Sequence, residues 1–169
     1  MSREPPQRAE LLEGLVVAGR QLSTATIMFH QAIADRLGLN VTDHKCMDLL
    51  LMKGPLTAGE LAGLTGLTTG AITAVIDRLE QAGFVRRGDD LDDRRRVVVQ
   101  AVPKRCREIE RLFEPLAATI AELSARYKDE ELVVILDFMN RSREGLHQST
   151  VELRQQRSSA NKRKKANPT

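Results

Sequence analysis

The sequence predicts a mainly α fold carrying one small β-ribbon, and three observations predict it. Apolar residues recur at three-and-four spacing over long stretches at both ends of the chain. Between Leu56 and Ala101, two short amphipathic segments separated by glycines are followed by two β-rich runs that enclose the charged segment from Gly88 to Arg96. Aromatic residues make up only 3% of the chain and Trp is absent, so the interior has to be aliphatic.

The first helix is expected from about Ala9 to Leu37, with Gly38 as its stop. Its apolar residues (Leu11, Leu12, Leu15, Val16, Leu22, Ile27, Ile33 and Leu37) cover more than one stripe, and such a helix must bury several faces. A supporting helix follows, which Thr42 can cap and which ends near Gly54-Pro55. Thr57 with Glu60 three residues later is a capping-box spacing and starts a short helix with Leu56, Leu61 and Leu64 on its buried side. Gly63 and Gly66 punctuate it. Thr68 or Thr69 can cap the next helix, where Ile72, Val75, Ile76 and Leu79 share one face and Thr69, Thr73, Asp77 and Arg78 the other. Gly83 closes that helix, Phe84-Val85 begin a strand, and Val97-Val98-Val99 return from a charged loop too long for a tight turn. Pro103 suits the first position of another helix, carrying Ile109, Leu112, Leu116, Ile120 and Leu123, with Pro115 interrupting its hydrogen-bond ladder. A last helix from about Asp129 brings Leu132, Val133, Ile135, Leu136, Phe138, Met139 and Leu146 inward.

Helix, turn, helix and charged hairpin in that order make a winged helix-turn-helix. The predicted organisation is an N-terminal dimerisation helix (1–38), the winged helix-turn-helix (39–102), C-terminal dimerisation helices (103–156) and a basic tail (157–169) expected to be disordered. That tail holds five positive charges and no negative ones, which leaves residues 1–156 at −2 of the total +3. An acidic body still suits DNA when its basic groups gather on one face, and Arg78, Arg86, Arg87, Arg94, Arg95 and Arg96 do so.

Leu67 to Val99 resembles the DNA-binding core of the MarR family of bacterial transcriptional regulators. The residues that carry the likeness are Thr73, Asp77-Arg78-Leu79-Glu80, Gly83-Phe84-Val85-Arg86-Arg87 and Asp93-Arg94-Arg95. The flanking helices extend it more loosely over residues 8–156. One departure follows the second strand, where the family usually has a Leu-Thr pair and this chain has Ala101-Val102-Pro103-Lys104-Arg105.

The resemblance implies a sequence-specific regulator of double-stranded DNA, a repressor rather than an activator, released by a ligand. It also implies a homodimer with interleaved terminal helices, and helices apolar on several faces call for a partner in any case. Two-fold symmetry would set the reading helices roughly 34–36 Å apart on a pseudo-palindromic operator.

In that arrangement the second helix enters the major groove with Thr68, Thr69, Gly70, Ala71, Thr73 and Ala74 closest to the bases. Threonine can bond several base edges and touch a thymine methyl, but none of these residues makes the bidentate pair that Arg makes with guanine. Arg94 and Arg95 can reach a narrow minor groove, with Asp93 holding one of them extended, while Arg78 and Arg86 suit phosphates.

Family members commonly bind small phenolic or anionic compounds beside the dimer helices, which makes Phe29, His30, Arg36, His44 and Met47 candidate lining residues. Three histidines and two distant cysteines, Cys46 and Cys106, form no metal-binding pattern, and the cysteines read as inert core residues. No catalytic constellation, cofactor motif, secretory signal or membrane-length apolar run stands out, so the expectation is a cytoplasmic protein that is not an enzyme, needs no cofactor and contacts no membrane. The competing reading is a sequence-indifferent nucleoid-associated or protein-interaction winged helix.

Overall fold

The computed structural model describes residues 7–89 and 96–166, with side chains described to residue 156. The elements follow the predicted order: α1 (Arg8–Leu37), α2 (Val41–Lys53), β1 (Leu56–Thr57), α3 (Ala58–Thr65), α4 (Thr69–Gln81), β2 (Val85–Asp89), β3 (Val97–Ala101), α5 (Pro103–Ser124) and α6 (Asp129–Ala166). Two compact units divide the chain, one up to Glu114 and one from Pro115 onward. The boundary falls at the residue that lacks an amide hydrogen for the helical ladder of α5.

In the first unit, Met47, Leu50, Leu61, Ile72, Val75, Ile76, Leu79, Phe84, Val85, Val99 and Ile109 form one core, drawing on α2, α3, α4, the sheet and α5. The face of α4 read from its spacing is the buried one: Ile72, Val75, Ile76 and Leu79 are at most 2% exposed. The helix closes with a Schellman turn. Gly83 takes φ +73°, its amide donates to the Glu80 carbonyl at 3.0 Å, and the Phe84 amide donates to the Leu79 carbonyl at 2.8 Å. Phe84 and Leu79 are both in the core, so the turn that ends the helix also fixes where β2 begins.

Three local expectations are corrected. Asn40, not Thr42, caps α2, with its side-chain oxygen accepting from the Asp43 amide at 2.8 Å. Asn40 precedes the first helical residue and has the short acceptor a cap requires, whereas Thr42 already lies inside the helix. Leu56 does not belong to the short helix. With Thr57 it forms β1, pairing antiparallel with Val99 and Val98 in a sheet of order β1-β3-β2. Leu64 is 42% exposed, which leaves Leu61 as the buried residue of α3, and Gly66 rather than Gly63 ends that helix in the left-handed region. The capping box itself stands, with the Thr57 amide donating to Glu60 Oε2 at 2.7 Å and the Glu60 amide to Thr57 Oγ1 at 3.2 Å.

β2 and β3 pair over their full length, from Val85 with Ala101 to Asp89 with Val97. In the second unit α6 continues past Gln156 to Ala166, where an irregular tail was expected. Charge density suggested disorder, but the segment is rich in Lys, Arg and Ala and has no Gly, and no Pro before Pro168, so nothing in it breaks a helix. Among the described residues no single helix is long and apolar enough to cross a membrane.

Apolar side chains also lie in the open. Leu15, Val16, Leu22, Ile27 and Met28 on α1, and Val133, Val134, Leu136, Phe138 and Leu146 on α6, are all between 48% and 71% exposed. Leu132 alone of the α6 residues expected inward is half-buried within the chain.

Truncating the fully buried Leu79 to Ala is expected to lower stability by about 2–5 kcal/mol. The same change at Leu64 should stay within about 0.5 kcal/mol. Urea denaturation of the two variants reads the difference, and equal losses would contradict the burial described for α3.

Candidate nucleic-acid interface

The outer face of α4 is built by the same periodicity that buries its inner face. With Ile72, Val75, Ile76 and Leu79 turned inward, Thr69, Gly70, Ala71, Thr73, Ala74, Asp77 and Arg78 are left exposed. Thr68 is the cap, its hydroxyl oxygen accepting from the Ala71 amide at 3.3 Å. Thr73 donates its hydroxyl to the Thr69 carbonyl at 3.0 Å. A side chain added at Gly70 would meet nothing within 4 Å, so the fold itself does not require glycine there. Beside this face runs an open groove of about 610 Å³ lined by Val41 and Thr42 of α2, Leu67, and Ala71, Ala74 and Arg78 of α4.

Two ionic tethers hold α4 in place. Arg78 grips Asp43 with both arms, Nε to Oδ2 at 2.9 Å and Nη2 to Oδ1 at 2.6 Å. The Asp43 carboxylate is buried and also accepts from Asn40 Nδ2 at 2.8 Å. The hydrogen bond to Asp43 is the main reason that the Arg78 guanidinium is held above its ordinary pKa. Arg78, expected at phosphates, is thus first of all a tie from α4 to α2. On the other side Arg87 of β2 reaches both Asp77 and Glu80, and its amide donates to Glu80 Oε1 at 3.1 Å. Arg86 is exposed and donates to Gln100 Oε1 of β3 at 3.3 Å. Arg96, at the far end of the ribbon, donates to Glu60 of α3 at 2.9 Å. Asp93, Arg94 and Arg95 lie outside the described residues.

The residues proposed for an effector are partly brought together. His30 of α1 meets His44 of α2, Phe29 lies edge-on to His30, and Phe113 of α5, which sequence reasoning missed, completes the group. Its ring lies edge-on to Phe29 at 5.5 Å and to His30 at 5.7 Å. His30 Nδ1 and His44 Nε2 are 3.1 Å apart and share one hydrogen. His44 is buried, and among the described residues its Nδ1 has no hydrogen-bond partner. Met47 is fully buried in the core, and Arg36 is exposed in the last turn of α1. Cys46 is buried and its thiol is pushed up to about 11, first by burial and then by Asp43, which keeps it protonated. Among the described residues no group of three or more His, Cys, Asp or Glu side chains could hold a metal ion.

Asp43, Asn40 and Arg87 were not singled out as site residues. The spacing of Asn40 and Asp43 was legible as a cap, but a contact between residues 35 apart in sequence leaves no local signal.

A capped helix-turn-helix whose second helix is tethered to a paired β-ribbon is a winged helix-turn-helix, the class that sets its second helix into DNA. Comparison with known proteins narrows this. Residues 39–97 match the model of the MarR family. The chain is 43% identical over 148 residues to the HTH-type transcriptional regulator YcgE of Bacillus subtilis (strain 168), covering 88% of this chain and 96% of that protein. It is 30% identical over 104 residues to MhqR of the same organism, covering 62% and 72%. The solved structure of a MarR family protein from Bacillus stearothermophilus superposes with a TM-score of 0.60 at 25% identity, over 86% of this chain and 99% of that one. RV1404 from Mycobacterium tuberculosis shares the fold with a TM-score of 0.60 at 19% identity, over 85% and 97%. The chain belongs to the MarR family and is a DNA-binding, helix-turn-helix regulator of transcription.

The histidine pair generates a pH prediction. Burial first, then the neighbouring His30, hold His44 below its ordinary pKa of 6.5 against an upward pull from Asp48, with Lys45 adding the least. The unfolded chain therefore binds this proton more readily than the folded one. The stability contributed by neutral His44 is fully present above pH 6.5 and is lost as the pH falls through the lower folded-state value. Urea midpoints measured from pH 7.5 to pH 5 should fall in the parent and fall less steeply in His44→Gln. Parallel curves would remove His44 as the cause.

Proposed function

We propose that this regulator is a homodimer that represses transcription from a pseudo-palindromic operator, with α4 in the major groove and the wing over the adjacent minor groove. The observation that carries the reading is the outer face of α4. Thr69, Gly70, Ala71, Thr73 and Ala74 are all exposed and small, on a helix whose opposite side is locked into the core. Such a face lets the helix backbone come close to base edges. Arg94 and Arg95 act in the minor groove with Asp93 orienting one of them, and Arg86 and the free edge of Arg78 meet phosphates.

The dimer reading is supported by the uncovered apolar residues of α1 and α6, which are too numerous for a solvated surface. A second copy of the same helices offers the matching surface. A small phenolic or anionic effector is assigned to the neighbourhood of Phe29, His30 and His44, with Arg36 supplying charge for an anion and Met47 as a buried candidate on the same helix as His44. This group joins α1 to α2, so a ligand there acts on the helix that Asp43 and Arg78 tie to α4. The cytoplasm, where the DNA is, is the compartment that fits this reading.

Fluorescence-anisotropy titration tests the core of the reading, comparing the DNA upstream of the protein's own gene with a scrambled duplex at two salt concentrations. Tight binding to the upstream DNA alone is the expected result. Equal, salt-steep binding to both would favour the sequence-indifferent nucleoid role. Replacing Arg94 and Arg95 together by Ala should weaken operator binding by several kcal/mol per dimer, at about 1–3 kcal/mol per specific contact. Helicity by circular dichroism should stay unchanged, and normal operator binding by that double variant would exclude the wing from the interface.

Gly70→Ala should separate folding from binding. With open space for its Cβ, the variant is expected to gain up to about 1 kcal/mol of helix stability. Its operator affinity should nonetheless fall, because the added methyl stands where the backbone approaches the bases. A variant more stable in urea with undiminished affinity would place the DNA elsewhere.

A further inference from the structure

The chemistry that α4 can offer a base pair is narrower than its sequence suggests. Arg78 is its only basic residue, and both Nε and Nη2 of that side chain are engaged by the buried Asp43. The Nε–Nη2 fork is therefore occupied within the protein, and only the outer Nη1 edge is left, on a side chain pinned to α2. Thr73 has committed its hydroxyl hydrogen to the Thr69 carbonyl, so Oγ1 can only accept a hydrogen bond from outside. With that oxygen drawn back onto the helix, the exposed residue presents its Cγ2 methyl. One position on, Ala74 adds a second exposed methyl, and Gly70, a turn earlier on the same face, adds no bulk.

Guanine presents only acceptors in the major groove, and neither Thr73 nor Ala74, at the centre of this face, has a free side-chain hydrogen to donate to them. Adenine presents an amino donor at N6, and its partner thymine presents a methyl group. Cytosine also offers an amino donor but lacks the methyl. We infer that the centre of α4 selects A·T pairs by packing thymine methyl groups against Thr73 Cγ2 and Ala74 Cβ, with Thr73 Oγ1 accepting from an adenine amino group. The inference rests on the proposed docking of α4 in the major groove, and names what the helix reads there.

Deoxyuridine isolates the methyl, because it pairs as thymine does and lacks only that group. Operators are first selected from a random duplex pool with the full-length protein. Each thymine of a half-site is then replaced in turn by deoxyuridine, and Kd is measured by anisotropy. At one or two positions per half-site, binding should weaken about four-fold per methyl removed. Thr73→Ser keeps the hydroxyl and its bond to Thr69 while removing the methyl. It should lose a similar factor on the thymine operator and nothing further on the deoxyuridine operator, with an unchanged thermal midpoint. A selected operator that tolerates deoxyuridine throughout, or that requires guanine opposite the centre of α4, overturns the inference and leaves the docking intact. Failure to select any sequence overturns both.

Discussion

The buried carboxylate of Asp43 gripping the half-exposed guanidinium of Arg78 is the contact on which the geometry of the DNA-binding unit turns. Asp43 is only 3% exposed, so its carboxylate has lost its water, and only a partner with matching geometry can offset that loss. Arg78 supplies it with two near-parallel bonds, and Asn40 adds a third. Bidentate geometry fixes direction as well as distance, so α4 cannot rotate about its axis without breaking it. The core beneath is mostly aliphatic, and such contacts alone tolerate small rotations. The ion pair supplies the angular precision that a reading helix needs.

Arg87 makes the complementary tie on the other flank. By reaching Asp77 and Glu80 together it neutralises two carboxylates close to the proposed DNA surface and binds the first wing strand to the helix. The Schellman turn at Gly83 and the register of Val85 with Ala101 then leave the ribbon little freedom at its base. Helix and first wing strand are held as one piece, and the α1–α2 contact through His30 and His44 joins it through α2.

Much of this was legible in the chain and some was not, for definite reasons. The inner face of α4, the Thr57–Glu60 box, the stop at Gly38 and the start at Pro103 are local patterns of spacing and turn chemistry, and they appear where expected. The two-residue strand β1 was not, because Leu56-Thr57 is too short to show alternation and exists only through its pairing with Val98 and Val99. Asp43–Arg78 and Phe29–Phe113 are contacts between residues distant in sequence, which no window of neighbours contains. The continuation of α6 to Ala166 shows charge density and helix propensity in conflict, with propensity deciding the backbone.

The way α4 is anchored also divides it lengthwise. Its tethers sit at Asp77, Arg78 and Glu80, and its buried contacts at Ile72, Val75, Ile76 and Leu79, while Thr69, Gly70, Thr73 and Ala74 are exposed. Those four positions form an interchangeable head on a fixed stem. A lineage, or a laboratory, can rewrite them for a new operator without retuning the scaffold, and duplicated copies of such a gene can part company in their targets while remaining almost the same protein.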